Sequence, residues 1–142
     1  MLGGPGPLGP PRSAAERAER FRAWLVTFTS ALEAADLDGV ARCFAVECSW
    51  QPAPFDPPLR GKAAIREHAA GRFGARAGLA IRAEILGVGA TYNVVHWALT
   101  WGSGEPGEHA DGILLVALDA MGRASAIREW NVEEEAPAAA GG

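Results

Sequence analysis

From Phe21 onward apolar residues recur at spacings of three and four, through Trp24, Leu25, Phe28 and Leu32, which is the repeat of one face of an α-helix. Ser13, with Glu16 three residues on, has the form of a capping box, so the spacing predicts a helix of about five turns beginning there. Its stripe is wide and aromatic enough to cover a sheet. Asp36 is placed to cap a second, short helix, Leu37 to Phe44, with Val40, Ala41 and Phe44 on its apolar face. A third helix follows Gly61, from Lys62 to about Arg72, with Ala64, Ile65, His68 and Ala69 at helical spacing.

Elsewhere the repeat is two. Val46 to Gln51 reads as a strand with Val46, Cys48 and Trp50 on one side and Glu47, Ser49 and Gln51 on the other. Pro52, Pro54, Pro57 and Pro58 stop it and make a loop around Phe55 that is too proline-rich to pair in a sheet. Strands are expected near Leu79 to Val88 and Thr91 to Trp101. In the second of these, Val95, Trp97, Leu99 and Trp101 share one face and Val94, His96, Ala98 and Thr100 the other. The loop Gly102 to Gly107 leads to a hairpin whose runs, Ile113 to Leu118 and Ala124 to Val132, flank Asp119 to Gly122. The first run is apolar on both faces, which places it mid-sheet under cover. The second alternates, with Ile127, Glu129 and Asn131 on one face and Arg128, Trp130 and Val132 on the other. Helices on one side of a mostly antiparallel sheet make an α+β domain.

The chain has 142 residues, the length of one domain with a real core. Residues 1–12 are dominated by Gly and Pro and are expected to be a disordered leader; 13–134 form the domain, and 135–142 a solvated tail. No apolar run is long enough to span a membrane, and the start lacks the pattern of a signal peptide. The formal net charge is -4, and Lys62 is the single lysine among scattered arginines, so no basic stripe is available for nucleic acid. Cys43 and Cys48 match neither a redox pair nor a zinc knuckle and read as buried thiols in a reducing cytoplasm. The histidines have no metal-ligand spacing. Arginine in preference to lysine, with abundant Ala, Gly and Pro, suggests a bacterial genome rich in GC.

Five segments in order carry a resemblance: Ala31 to Val40, Cys43 to Ala45, the short strand with its proline loop, Arg60 to Arg66, and Asp119 to Arg123. Together they resemble the nuclear transport factor 2-like superfamily, nearest its SnoaL-like and ketosteroid-isomerase-like branches, over about Phe21 to Val132. The resemblance implies a strongly curved sheet wrapped around the helices as a cone, an apolar pocket between them, and in many members a homodimer. One cone serves isomerases, cyclases, epoxide hydrolases, dehydratases and binding proteins, so fold alone does not fix function.

Carried over residue by residue, the resemblance mostly subtracts. The steroid isomerases' catalytic aspartate, tyrosine and protonated aspartate are matched here by Gln51, Phe28 and Leu114, so all three groups of that mechanism are absent and the resemblance speaks against it. The limonene-type epoxide hydrolases use two aspartates with an arginine between them. Glu129 matches one of those aspartates, but the strand Val94 to Trp101 offers neither the arginine nor the second carboxylate. Glu129 is expected on the pocket face, desolvated among aromatic residues and suited to acid–base work; the alternative is an ion pair with Arg128 of a second copy or with another arginine. His68 is its candidate partner. Trp24, Phe28, Gln51, Phe55, Trp97, Trp101, Leu114 and Asn131 are the candidate lining, with Gln51 and Asn131 orienting a ligand. Trp50, Trp130 and His96 are assigned to the face away from the pocket, and His109 and Asp111 to solvent. The expectation is a cytoplasmic homodimer that binds a small hydrophobic molecule and acts as a cofactor-free cyclase, isomerase or dehydratase; the alternative is a non-catalytic ligand-binding or dimerisation module.

Overall fold

Helix α1, Ala14–Glu33, begins where the capping pattern places it: the Ser13 hydroxyl accepts from the Glu16 amide, 3.1 Å away. The Glu16 carboxylate reaches back to the Arg12 amide, one residue beyond the box. Phe21, Trp24, Leu25, Phe28, Ala31 and Leu32 are its buried stripe. Helix α2, Leu37–Arg42, is capped by Asp36, whose side chain accepts from the Gly39 amide. It stops before Phe44, which is already extended, so the short helix is shorter than its apolar spacing suggests. The computed structural model describes residues 9–102 and 108–134; the start of the leader, most of the Gly102 to Gly107 loop and the tail lie outside the described residues.

Strands β1, Phe44–Gln51, and β2, Leu59–Arg60, precede helix α3, Lys62–Arg72; β3, Ala80–Val88, β4, Asn93–Trp101, β5, Glu108–Leu118, and β6, Ala124–Glu134, follow it. They form one six-stranded sheet in the order β2-β1-β6-β5-β4-β3. The pairing of β1 with β6 is parallel and the other four are antiparallel. Helix α1 packs over β3, and α3 over β1. The covered face of the sheet carries Val95, Trp97 and Leu99, then Ala110, Leu114 and Val116, then Ile127 and Glu129, all buried. This is the α+β arrangement expected, with a curved mixed sheet wrapped around the helices. The two-residue β2, directly after the proline-rich segment, was not anticipated.

The outward assignment of Trp50 is corrected. Trp50 does not face outward: it is fully buried, whereas Val46, two alternations earlier, is 80% exposed. The register of β1 against β6 shifts between Phe44 and Ser49, and an irregularity of that kind breaks strict alternation. Phe44, Cys48 and Trp50 thus point inward together. Trp130 lies on the outer face, as its position predicts.

Candidate functional site

Cross-strand register places Val95 opposite Leu114 and Leu114 opposite Glu129, so the carboxylate of β6 joins the row that forms the floor of the cone. Glu129 is buried, at 1% exposure. Its partner comes from the last residue of α3: Arg72 Nη1 donates to Oε1 at 2.8 Å and Nη2 to Oε2 at 2.7 Å. The indole Nε1 of Trp50 donates to the same Oε1 at 3.0 Å. The fork-on-fork geometry is the strong form of a charge-assisted hydrogen bond. Three of the roughly four acceptor positions of the carboxylate are occupied. The orientation question is therefore answered inward, and the arginine is neither Arg128 nor a residue of β4.

Aromatic rings fill the space around this pair. Phe28 stacks on Trp24 at 4.7 Å and on Trp97 at 6.4 Å between centroids, and Trp50 lies 6.1 Å from Phe44 and 6.3 Å from Phe73. The Arg72 guanidinium sits 4.7 Å from the Phe73 ring centre and 5.8 Å from that of Trp97, within reach of their π-faces. His68, one turn before Arg72 on α3, packs edge-on to Trp50 at 5.1 Å. Burial, then the nearby Arg72 charge, push its imidazole down to about 4, so the ring is neutral at physiological pH. A base with so low a pKa is a weak one.

A second rung lies nearer the solvent. Arg76, in the loop after α3, pairs with Glu133 of β6 at 2.8 Å and spreads its guanidinium 3.8 Å above the Trp101 ring. The hydrogen bond from Arg76 holds the Glu133 carboxyl below the usual carboxylate range. Arg72 and Arg76 thus face Glu129 and Glu133, four residues apart on each side.

The remaining candidates divide. Phe28, Trp97, Leu114 and Trp101 are buried in the core of the cone. Trp24 belongs to the core, its indole donating to the Cys43 carbonyl at 2.9 Å. Asn131 lies on the inner face beside Glu133. Gln51 turns to the proline loop instead, donating to the Pro54 and Asp56 carbonyls, and Phe55 is fully exposed; neither meets the interior, because the loop folds outward. His96 pairs with Asp111 on the outer face at 2.9 Å. Among the described residues no group of three or more His, Cys, Asp or Glu is placed to share a metal ion. The sequence reading missed Arg72, Arg76 and Trp50. The signal for Arg72 was its place on the α3 stripe, three and four residues beyond Ala69 and His68, where a charged residue must find a buried partner.

This is the fold of the nuclear transport factor 2-like proteins, helices first and a curved sheet around them. The chain belongs to the SnoaL-like domain family, whose model matches residues 21–127. Among curated proteins no sequence matches. Several solved structures share the fold. The epoxide hydrolase/cyclase-like enzyme SalBIII, of pyran ring formation in the polyether salinomycin, is 15% identical with a TM-score of 0.69, over 81% of this chain and 92% of that one. An LEH-like epoxide hydrolase of Mycobacterium tuberculosis is 18% identical with a TM-score of 0.66, over 82% and 85%. An NTF-2 like protein of Burkholderia xenovorans LB400 is 16% identical with a TM-score of 0.66, over 88% and 91%. At these identities the likeness is one of fold. No helix among the described residues is long and apolar enough to cross a membrane.

Proposed function

We propose that this protein binds a small, flat hydrophobic molecule in the interior of its cone and that Glu129 holds the site together instead of moving a proton. The observation that carries this reading is the capture of the Glu129 carboxylate by both Arg72 nitrogens and the Trp50 indole. A carboxylate whose oxygens already accept from three donors has no O–H to offer a ligand, and breaking the pair would leave two opposite charges unpaired in an aromatic interior. The lining of Phe28, Phe73, Trp97 and Trp101 supplies the apolar faces that a flat ligand needs. These rings pack on one another, so a ligand must part them to enter. Titration with naphthalene, read by the fluorescence of the buried tryptophans, tests the reading. A saturable change in the wild-type protein is expected, and no change up to the solubility limit would sink it.

Acid–base catalysis is the second reading, favoured by one observation: the His68 Nε2 is buried without a hydrogen-bond partner, beside the tryptophan that holds Glu129. It requires Arg72 to release Glu129 on binding. Glu129→Gln would then abolish turnover of a bound ligand; recovery of every bound ligand chemically unchanged rejects it.

Homodimer formation is proposed through the outer sheet face. Trp130 is 38% and Val132 74% exposed there, with the partly buried Ile113 and Leu115 of β5 alongside. Sedimentation should show a dimer that Trp130→Asp converts to a monomer.

A further inference from the structure

The sheet ends on two edges that differ in kind. At one, β2 is two residues long and follows directly on the proline-rich segment, and so short a strand offers a second chain little to pair with. At the other, β3 runs for nine residues, holds no proline and pairs with β4 alone. One contact fixes which of its backbone groups point outward. The Ile81 amide donates to the Glu33 carboxylate at the end of α1, 2.8 Å away, so Ile81 turns its N–H away from β4. Alternation in an antiparallel ladder gives the same outward direction to Ala83 and Ile85, while Arg82 and Glu84 bond β4. The register against β4 is regular from Ala80 to Ile85 and shifts only between Ile85 and Gly87, so the outward row is unbroken. Glu33 takes the first of its amides; among the described residues none accepts from those of Ala83 and Ile85.

This edge is complementary to itself. A two-fold axis at Ala83 sets Ala83 opposite Ala83, Ile81 opposite Ile85 and Arg82 opposite Glu84 of a second copy. The residues with outward backbone groups then face one another, and each such pair exchanges both of its hydrogen bonds. The charged residues meet at the positions between, where cross-strand side chains approach most closely. Arg82 and Glu84 are both exposed, and neither has an ion-pair partner among the described residues. Moving the axis to Arg82 or to Glu84 would set arginine on arginine or glutamate on glutamate, so charge selects the register at Ala83. Ile81 and Ile85, half-buried against the core, continue their apolar row across the junction.

We propose that β3 of one copy pairs antiparallel with β3 of a second about Ala83, joining two sheets into one, and that Glu33 competes for the Ile81 amide. The contact is separate from the ligand reading and from the outer-face dimer, because it lies on the edge of the sheet and uses neither the interior nor Trp130. It is the weaker of the two contacts: each backbone bond exchanged with water returns little net energy, and Glu33 must be displaced in both copies. At the dilution where Trp130→Asp is a monomer, the edge is open too.

Sedimentation of the Trp130→Asp variant, over a concentration range raised about a hundredfold, tests the proposal with the outer face silenced. A dimer should reappear as the concentration rises. Ala83→Pro removes the central outward N–H where an edge strand tolerates proline; added to that variant, it should keep the protein monomeric with an unchanged circular dichroism spectrum. Glu33→Ala should tighten association about tenfold, the worth of one competing hydrogen bond to a charged group. Arg82→Glu and Glu84→Arg should each be monomeric alone, and an equal mixture of the two should associate, because every charged pair is then opposite in sign. Absence of association across the range overturns the proposal; an edge that serves an extended peptide of another protein gives that result. Association that survives Ala83→Pro overturns it as well. Should Ala83→Pro fail to fold, the charge variants decide: a mixture as monomeric as its two components rejects the pairing.

Discussion

The two arginine–glutamate rungs have the same chemistry and different surroundings. Arg72–Glu129 and Arg76–Glu133 are closed at 2.7 and 2.8 Å, but the side chains of the first are 11% and 0% exposed and those of the second 16% and 40%. In the deep rung three donors replace the water that Glu129 lost, and neither partner can be left alone. In the outer rung the carboxylate is still wet and salt can screen the attraction. Burial makes one a structural keystone and leaves the other a partly solvated pair that salt can weaken.

The deep rung gives the largest expected effect. Arg72→Ala or Glu129→Ala should destabilise the fold by about 3–5 kcal/mol, the cost of an uncompensated buried charge, read from the urea midpoint. Replacing both together, Arg72→Met with Glu129→Leu, should cost less than either single change; a double variant as unstable as the sum of the two singles would refute the keystone role. Trp50→Phe keeps the ring but removes the third donor and should cost about 1–3 kcal/mol.

A pH titration separates the interior from the outer rung. His68 takes up its proton at about 4 when folded, against 6.5 for the free side chain, so the unfolded chain is protonated first. The neutral ring's contribution is fully present above 6.5 and is lost as pH falls towards 4. Thermal melts should show this decline, and His68→Leu should flatten it. Glu133, held below the usual carboxylate range by Arg76, acts with the same sign at lower pH and persists in that variant. The smallest effect is expected at the outer rung. Arg76→Ala should cost about 1 kcal/mol or less, partly through the lost stack on Trp101, and the wild-type excess should shrink with added salt. A loss equal to that of Arg72→Ala would erase the distinction between the rungs.

Much of the fold was legible because the repeats were clean. Three helices and five strands follow from spacings of three to four and of two, and the parity of β6 placed Glu129 on the same face as Ile127 and Asn131. Trp50 was misplaced because the register shift in β1 inverts the parity that Val46 announces, and no residue type marks it. Phe55 was misjudged because a proline loop can fold inward or outward without changing its composition. Arg72 and Glu133 sit at the ends of their elements, where a charged residue reads equally well as solvated; only the meeting of α3 with β6 shows that they close the interior. Side-chain identity supplied the donors and acceptors, and tertiary contact decided which of them met.

The parallel pairing of β1 with β6 carries a consequence for how the chain assembles. The Trp50 indole and the carboxylate that it holds are 79 residues apart in sequence, and β1 has no long strand beside it until β6 arrives. Contacts of such separation are made late and slow folding. During synthesis the N-terminal helices and β1 would leave the ribosome with Phe44, Cys48 and Trp50 uncovered. The core closes only when β6 is in place, which makes truncation within β6 a loss of the whole domain.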